Sequence, residues 1–243
     1  MSVITNVSGL TPAADNSLLA TQPSRTGRYG EAYVQPLGGS NWSFADEGTY
    51  YVVNNATLAT GIAGHAAPVV ADTSTKPLFF LYNGTSKRLI MDYLFLEVTA
   101  AGTNGTIHYT TIYLDNAGVT SRTGGGTEIT AFANANSAVS AQTSGLSCYF
   151  GAVTAVMASA VKVGQQIVRE VIPVVQDTVT MKFGGPNAGE HSALTTAGTA
   201  TNHCVQHFAP LVVGPGGNLN ISQIRPSQSA AASYQFSAGF ILR

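Results

Sequence analysis

Charged side chains are scarce in this chain. Its 243 residues include Lys+Arg 11 and Asp+Glu 12, which is 9% charged residues with a formal net charge of −1, whereas a typical soluble domain has roughly 25%. No basic cluster is larger than the pair Lys87 and Arg88, and binding to nucleic acid requires a stripe of basic side chains that neutralises phosphates. The sequence therefore predicts no nucleic-acid partner.

The same scarcity bears on the surface of the molecule. A monomer normally carries many charges of both signs on its surface, and in this chain Ser, Thr, Asn and Gly residues must contact the water instead. We predict that other subunits cover part of the surface and that the protein is a homo-oligomer. The alternative is a monomer with a surface rich in Ser and Thr.

Membrane-spanning and disulfide patterns are also missing. No run of 18 apolar residues is present, so we expect no transmembrane helix and no membrane partner. The first residues, MSVITNVSGLTPAADNS, lack the basic and apolar regions of a secretory signal. The two cysteines, Cys148 and Cys204, each lie in an apolar, strand-like run, which predicts free buried thiols rather than a disulfide framework.

What the sequence does contain is a dense series of strand patterns from Lys76 onward. In residues 233–242, SYQFSAGFIL, aromatic and aliphatic side chains alternate with small or polar ones, which is the period of a half-buried strand. Further strand candidates are 77–83, 88–100, 106–115, 127–132, 147–158, 165–175, 178–183, 205–213 and 218–224. Strand and helix patterns do not alternate, so residues 76–243 are predicted to form an all-β domain, an antiparallel β-sandwich with jelly-roll topology preferred.

Glycine, asparagine and proline residues mark the expected breaks between these strands. Asn83-Gly84 and the three glycines at 124–126 predict turns. Pro173 and Pro210 lie inside strand-like runs, and because proline cannot donate a hydrogen bond to a neighbouring strand, each predicts an edge, a bulge or a break. Residues 131–143 are weakly helical, so we expect a surface loop there with at most one short helix.

Residues 1–75 differ from the rest of the chain. They contain many proline, glycine and alanine residues, and only residues 50–53, YYVV, have a clearly extended pattern. A segment of this length without a core of its own is typically disordered or draped over another surface. We predict an extended N-terminal arm that is held by the β-domain or by neighbouring subunits.

Five residues of this predicted arm are candidate interface residues. Arg25 and Arg28 lie close together beside Tyr29, and arginine is favoured at interfaces because its planar guanidinium pairs with carboxylates and stacks on aromatic rings. The alternative is that both arginines are simply solvated. Trp42, the single tryptophan, lies beside Phe44, and we expect this pair to pack the arm onto a neighbour.

A metal site is the first chemistry to consider, because His203 and Cys204 are followed closely by His207. Zinc is bound by His and Cys side chains that converge on one small tetrahedron. On a strand, His203 and His207 share a face but lie about 13 Å apart, which is too far for one ion. A loop conformation, with His191 joining, is the remaining alternative. We predict a pair of histidines that flank a buried cysteine, with no metal and no cofactor.

Catalytic patterns are no more evident. Glycosidases need two carboxyl groups about 5–9 Å apart, whereas Asp92 and Glu97 differ in parity and would point to opposite faces of a regular strand. Asp46 and Glu47 are adjacent but lie in the predicted arm. No glycine-rich stretch has the P-loop or nucleophile-elbow pattern. The sequence therefore predicts no catalytic residues and a protein that is not an enzyme.

Three stretches resemble a known class of proteins. RTGRYGEAYVQPLG (25–38), REVIPVVQDTVTMKFGG (169–185) and APLVVGPGGNLNISQIRPSQSAAASYQFSAGFILR (209–243) are similar to β-rich structural proteins of tailed bacteriophages, and the third is the most specific. The resemblance implies a jelly-roll virion protein, most often a capsid decoration or cement protein. Its expected partners are the major capsid protein and copies of itself, with a trimer favoured. The expected location is the virion, assembled in the host cytoplasm.

Two other functions are weighed against this one. A tail-associated or head-fibre β-module that recognises host glycans would be expected to carry aromatic residues in the loops 116–146 and 184–204, which have almost none apart from Phe132. A virion-borne polysaccharide hydrolase would need a pair of carboxylates in a cleft.

Overall fold

The computed structural model describes most of the chain from Asn41 onward. The described residues are 41–55, 57, 60–66, 69, 73–102, 108–142, 144–169, 174–184, 191–192, 203–224 and 229–243. Among them is one helix, α1 (Asn41–Asp46), and the remaining regular elements are strands.

In the part of the chain that the structure describes, the larger of two sheets has nine strands, and neighbouring strands are antiparallel except for one parallel pair, β10 and β12. Its strands are, in spatial order, β11 (His191–Ser192), β12 (His203–Phe208), β10 (Thr178–Phe183), β4 (Leu89–Ala100), β15 (Ser233–Leu242), β1 (Tyr50–Asn54) and β7 (Ala133–Asn134), with β13 (Leu211–Val213) paired to β4 and β2 (Ile62–Ala63) paired to β15.

The smaller sheet has six strands and is antiparallel throughout. Its strands are, in spatial order, β6 (Arg122–Ile129), β8 (Leu146–Ala155), β3 (Phe79–Asn83), β14 (Asn218–Ile224), β5 (His108–Asp115) and β9 (Val161–Arg169).

The core lies between the inner faces of the two sheets. Phe150 of the smaller sheet stacks on Phe236 of the larger sheet, with ring centroids 4.3 Å apart and planes 12° from parallel. Phe79 meets the edge of the same Phe236 ring at 5.9 Å. Successive side chains on a strand point to opposite faces, so one face of each strand packs into this layer. The predicted all-β antiparallel sandwich is confirmed, and its jelly-roll topology stays a prediction.

The triple glycine at 124–126 is not the turn that the sequence predicted. These residues lie inside β6, where the pairing with β8 shifts register between Arg122 and Gly124 and again between Gly125 and Thr127. Gly125 and Gly126 have positive φ angles of 66° and 71°. Glycine adopts this conformation without steric cost, so the run forms bulges within a strand rather than a connection between strands.

Residues 131–143, where we expected a surface loop with at most one short helix, contain no described helix; they form β7 and a bridge between Phe132 and Gln142. The short helix lies at Asn41–Asp46 instead. Pro210 does mark a break, since it separates β12 from β13, whereas Pro173 lies outside the described residues.

Part of the predicted arm is built into the larger sheet. Tyr50–Asn54 forms β1, which pairs along its whole length with β15 and also contacts β7. The stretch Asn41–Arg243 is one compact unit. Residues 1–40 lie outside the described residues.

Asparagine side chains on the strands form hydrogen bonds to neighbouring loops. The Asn83 Nδ2 group donates to the carbonyl oxygens of Lys87, Val213 and Gly214 at 2.8, 2.9 and 3.2 Å. Asn218 and Asn220 lie on the side of the smaller sheet that faces away from the core, and their side-chain amides donate in the same way to carbonyl oxygens of loops. A chain with few charges thus uses neutral amides to connect segments that are distant in sequence.

Candidate functional site

The structure bears on only part of the predicted interface set. Arg25, Arg28 and Tyr29 lie outside the described residues, as does the side chain of Trp42. Phe44 lies on α1, and the guanidinium carbon of Arg243 sits 5.0 Å from its ring centroid. This cation–π geometry gives the Phe44 ring a partner within its own chain. Its contact with a neighbouring subunit stays a prediction.

A candidate surface is the side of the larger sheet that faces away from the core, which we name the outer face. The register aligns its side chains in cross-strand rows that run over β12, β10, β4, β15 and β1. The first row contains His203, Thr178, Glu97 and Gln235; the second contains Val205, Thr180, Phe95, Ser237 and Asn54; the third contains His207, Lys182, Tyr93, Gly239 and Val52.

The first row is held by hydrogen bonds between adjacent strands. Thr178 Oγ1 lies 2.8 Å from Nδ1 of His203, and Gln235 Nε2 donates to Glu97 Oε2 at 2.5 Å. Each bond joins residues that are directly opposite one another in the ladder. The row therefore presents oriented polar groups on a rigid sheet rather than on a mobile loop.

The centre of the outer face is aromatic and uncharged. Phe95 and Thr180 are opposite one another, and both remain partly exposed. The Tyr93 hydroxyl lies 2.9 Å from Oγ of Ser237. Partly exposed aromatic rings with neutral hydrogen-bonding neighbours are typical of the centre of protein interfaces.

Beyond the third row the face becomes more apolar. Val212, Ile90, Ile241 and Tyr50 are aligned there by the pairing of β13, β4, β15 and β1. Tyr50 is buried, and its hydroxyl donates to Asp92 Oδ2 at 2.6 Å. Burial is the largest cause that raises the pKa of Tyr50 well above its ordinary value. The hydrogen bond to Asp92 and the negative charge of Asp92 raise it further.

A bulge in β4 changes the expected placement of Asp92. The pairing with β15 shifts between Gly239 and Phe240, so Asp92 is the extra residue of β4 at this point. Its bond to Tyr50 brings the carboxylate to the outer face, the same face as Glu97, although parity on a regular strand predicted opposite faces. Asp92 and Glu97 are five residues apart along β4, or about 16 Å at about 3.3 Å per residue, which is longer than the spacing of a glycosidase pair.

His203 and His207 both lie on β12, which begins two residues before the predicted strand 205–213. They occupy the first and third rows of the outer face, next to Thr178 and Lys182. The side chain of His191 is outside the described set. In the described part of the chain, His, Cys, Asp and Glu side chains form no group of three that could hold a metal ion.

The two cysteines are buried and free, which confirms the prediction. Cys148 packs in the core from β8, and Cys204 packs there from β12. Burial raises the pKa of the Cys204 thiol to about 11 and that of Cys148 further still. Neither thiol is therefore a ready nucleophile at neutral pH.

Comparison with protein families, with curated proteins and with solved structures finds no match to this chain. Among the residues that the structure describes, no helix has the length and apolar character needed to span a membrane.

Sequence reasoning missed the outer face as a candidate site. The alternation in β4, where Tyr93, Phe95 and Glu97 lie between buried leucines, was a visible signal that one face of this strand is not packed in the core. The pattern could not show which strands lie beside β4, and the rows exist only because distant segments pair in a particular register.

Proposed function

We propose that this chain is a structural protein of a tailed-phage virion, a decoration or cement protein that binds the assembled head. The observation that carries the proposal is the outer face, a sheet surface with an aromatic, uncharged centre around Phe95. Such a surface is suited to contact with protein. The resemblance of residues 209–243 to phage structural proteins and the low charge content support the same role.

In this role the protein acts by mass action. A protein that binds the assembled shell, and not the free subunits, stabilises the shell by the free energy of that binding. Contacts made by several linked copies add avidity beyond the affinity of each copy alone. The partners in this proposal are the major capsid protein and further copies of the chain.

The test is a binding and heat-release assay on phage heads that lack this protein. Purified chain added to such heads should sediment with them at many copies per head and should raise the temperature at which they release DNA. The variant Phe95→Asp, which places a charge at the centre of the outer face, should bind more weakly. The variant Lys162→Glu, on the exposed part of the smaller sheet, should bind like the wild type.

Two results would contradict the proposal. Heads that neither bind the chain nor gain heat resistance would remove the cement role. A virion that contains only a few copies, located at the tail, would favour a tail component.

A glycan-binding β-module is the second candidate, and the outer face is again the reason. Tyr93 and Phe95 lie on the same strand face as Glu97 and Gln235, and partly exposed rings beside polar groups can stack on sugars. Binding of the purified chain to host-surface glycans, lost in Phe95→Ala and retained in Lys162→Glu, would support this candidate instead of the first.

A further inference from the structure

Within the three rows of the outer face, one side chain is acidic and one is basic, and they lie on adjacent strands. The Asp92 carboxylate, beyond the third row, is bonded to the Tyr50 hydroxyl. Glu97 of β4 is opposite Thr178, and Lys182 of β10 is opposite Tyr93. The two charges are therefore one strand and four residues apart, or about 14 Å, which is too far for an ion pair within the chain. The pair Phe95 and Thr180 lies midway between them.

We propose that two copies of this chain pack outer face to outer face about a twofold axis. The axis lies between the two faces and runs across the strands, over Phe95 and Thr180. With this axis, Glu97 of each copy contacts Lys182 of the other copy, so the dimer contains two ion pairs. The opposite signs lie symmetrically about the centre of the face, and this is the self-complementarity that an isologous dimer requires.

The same axis places the uncharged centre of the face against itself. Phe95 of one copy meets Phe95 of the other copy, and Thr180 likewise meets its counterpart. The line from Glu97 to Lys182 is inclined by about 20° to the strands, so the strands of the two copies cross at about 40°. Sheets that pack face to face keep their strands within about 30° of each other, so the crossing that the charge pairing requires lies about 10° beyond that range.

The size of the contact predicts a weak dimer. Five strands and four rows cover roughly 24 by 20 Å, or about 500 Å² on each copy, which is near the lower limit for specific interfaces. A net charge of −1 per chain adds little repulsion between copies. We expect a dimer that dissociates on dilution. It differs from the trimer that the sequence favoured. Because the dimer uses the same face as the proposed head contact, a copy must leave the dimer before it binds a head through that face. The purified chain alone tests the dimer, so the test does not depend on the virion role.

Charge reversal gives the first test, with sedimentation velocity across a concentration series as the measurement. The wild type should shift from monomer to dimer as concentration rises. Glu97→Lys and Lys182→Glu should each weaken the dimer at least roughly tenfold, because each creates two like-charge contacts. The double variant restores opposite charges across the axis and should dimerise within a few-fold of the wild type. Lys162→Glu, which changes an exposed charge on β9, is the matched control and should have no effect.

A cysteine placed at the axis gives a second test that does not involve charge. Phe95→Cys should form a disulfide between copies under mild oxidation, whereas Val212→Cys, exposed on the same face but far from the axis, should not. The native Cys148 and Cys204 are buried and should not interfere. A wild type that stays monomeric at all concentrations, a trimer, a double variant as weak as the single ones, or no cross-link at position 95 would each overturn the proposal.

Discussion

Tyr50 and Asp92 are joined across the strand that separates them. Their strands, β1 and β4, both pair with β15, and the 2.6 Å hydrogen bond from the Tyr50 hydroxyl to Asp92 Oδ2 passes over Gly239. A side chain at position 239 would collide with the hydroxyl oxygen of Tyr50 and with the ring of Tyr93. The absence of a side chain at Gly239 is therefore what allows the bond to form.

This bond predicts a loss of stability at alkaline pH. An unfolded tyrosine ionises with a pKa of about 10, whereas burial and the hydrogen bond to Asp92 raise the pKa of Tyr50 in the folded chain. The contribution to stability is fully present below about pH 10 and falls as the pH rises above it, because only the unfolded chain then releases the proton. Urea denaturation at about pH 9 and about pH 11 should show a smaller loss for Tyr50→Phe than for the wild type. Equal losses would contradict the assignment.

Asn83 should be among the most sensitive polar positions. Its side chain is fully buried and makes bonds to three carbonyl groups, while its Oδ1 accepts from the backbone and the hydroxyl of Thr85. Asn83→Ala leaves those carbonyls without their donor and should lower the free energy of unfolding by about 2–4 kcal/mol. Asn136→Ala, at a more exposed position, should cost about 1 kcal/mol. Thermal and urea denaturation measure the loss of stability in both variants. Equal losses would show that burial does not explain the sensitivity of Asn83.

The glycine run in β6 offers a matched pair of substitutions. A Cβ at Gly125 would collide with the carbonyl oxygen of Ala152, and the φ angle there is 66°. A Cβ at Gly124 would have Thr154 Oγ1 at 3.4 Å as its nearest neighbour, and its φ angle is not in the left-handed region. Gly125→Ala should therefore lose about 2–3 kcal/mol of stability, whereas Gly124→Ala should be nearly neutral. If these glycines formed an open turn instead, the two variants would behave alike.

The stacked rings at the centre of the sandwich should dominate the apolar contribution. Phe236 contacts both Phe150 and Phe79 from the opposite sheet. Phe236→Ala should leave a cavity between the sheets and cost about 3–5 kcal/mol. Val212→Ala, at a side chain that is 44% exposed, is the control and should change stability by less than about 0.5 kcal/mol. Calorimetry of the two variants decides whether the sheets pack through these rings.

Most of the strands could be predicted from local patterns. The apolar runs at 88–100, 178–183, 218–224 and 233–242 correspond closely to β4, β10, β14 and β15. The pattern succeeds because one face of each strand is buried, and alternation of side chains then appears directly in the sequence. It failed at 124–126, because glycine is compatible both with a turn and with a bulge, and only the partner strand distinguishes them.

The outer face could be predicted only in part from local sequence patterns. The alternation along β4 determines that Phe95 and Glu97 share a face, and this much could be inferred from the sequence. The parity rule misplaced Asp92, because a bulge depends on how β15 aligns with β4. The placement of Lys182 relative to Glu97 likewise depends on the pairing of residues that are more than 80 positions apart in the sequence, such as Thr178 and Glu97.

The sequence by itself determined that the described chain is a β-protein with few charges, buried free thiols and strands that each present one face to a core. These properties follow from composition and from the period of two, which act within a few residues. Only the tertiary structure decided which strands are neighbours, where the bulges lie and which side chains form the rows of the outer face. The physical reason is that register is set by packing between segments distant in sequence, and a shift of one residue would move every side chain to the other face.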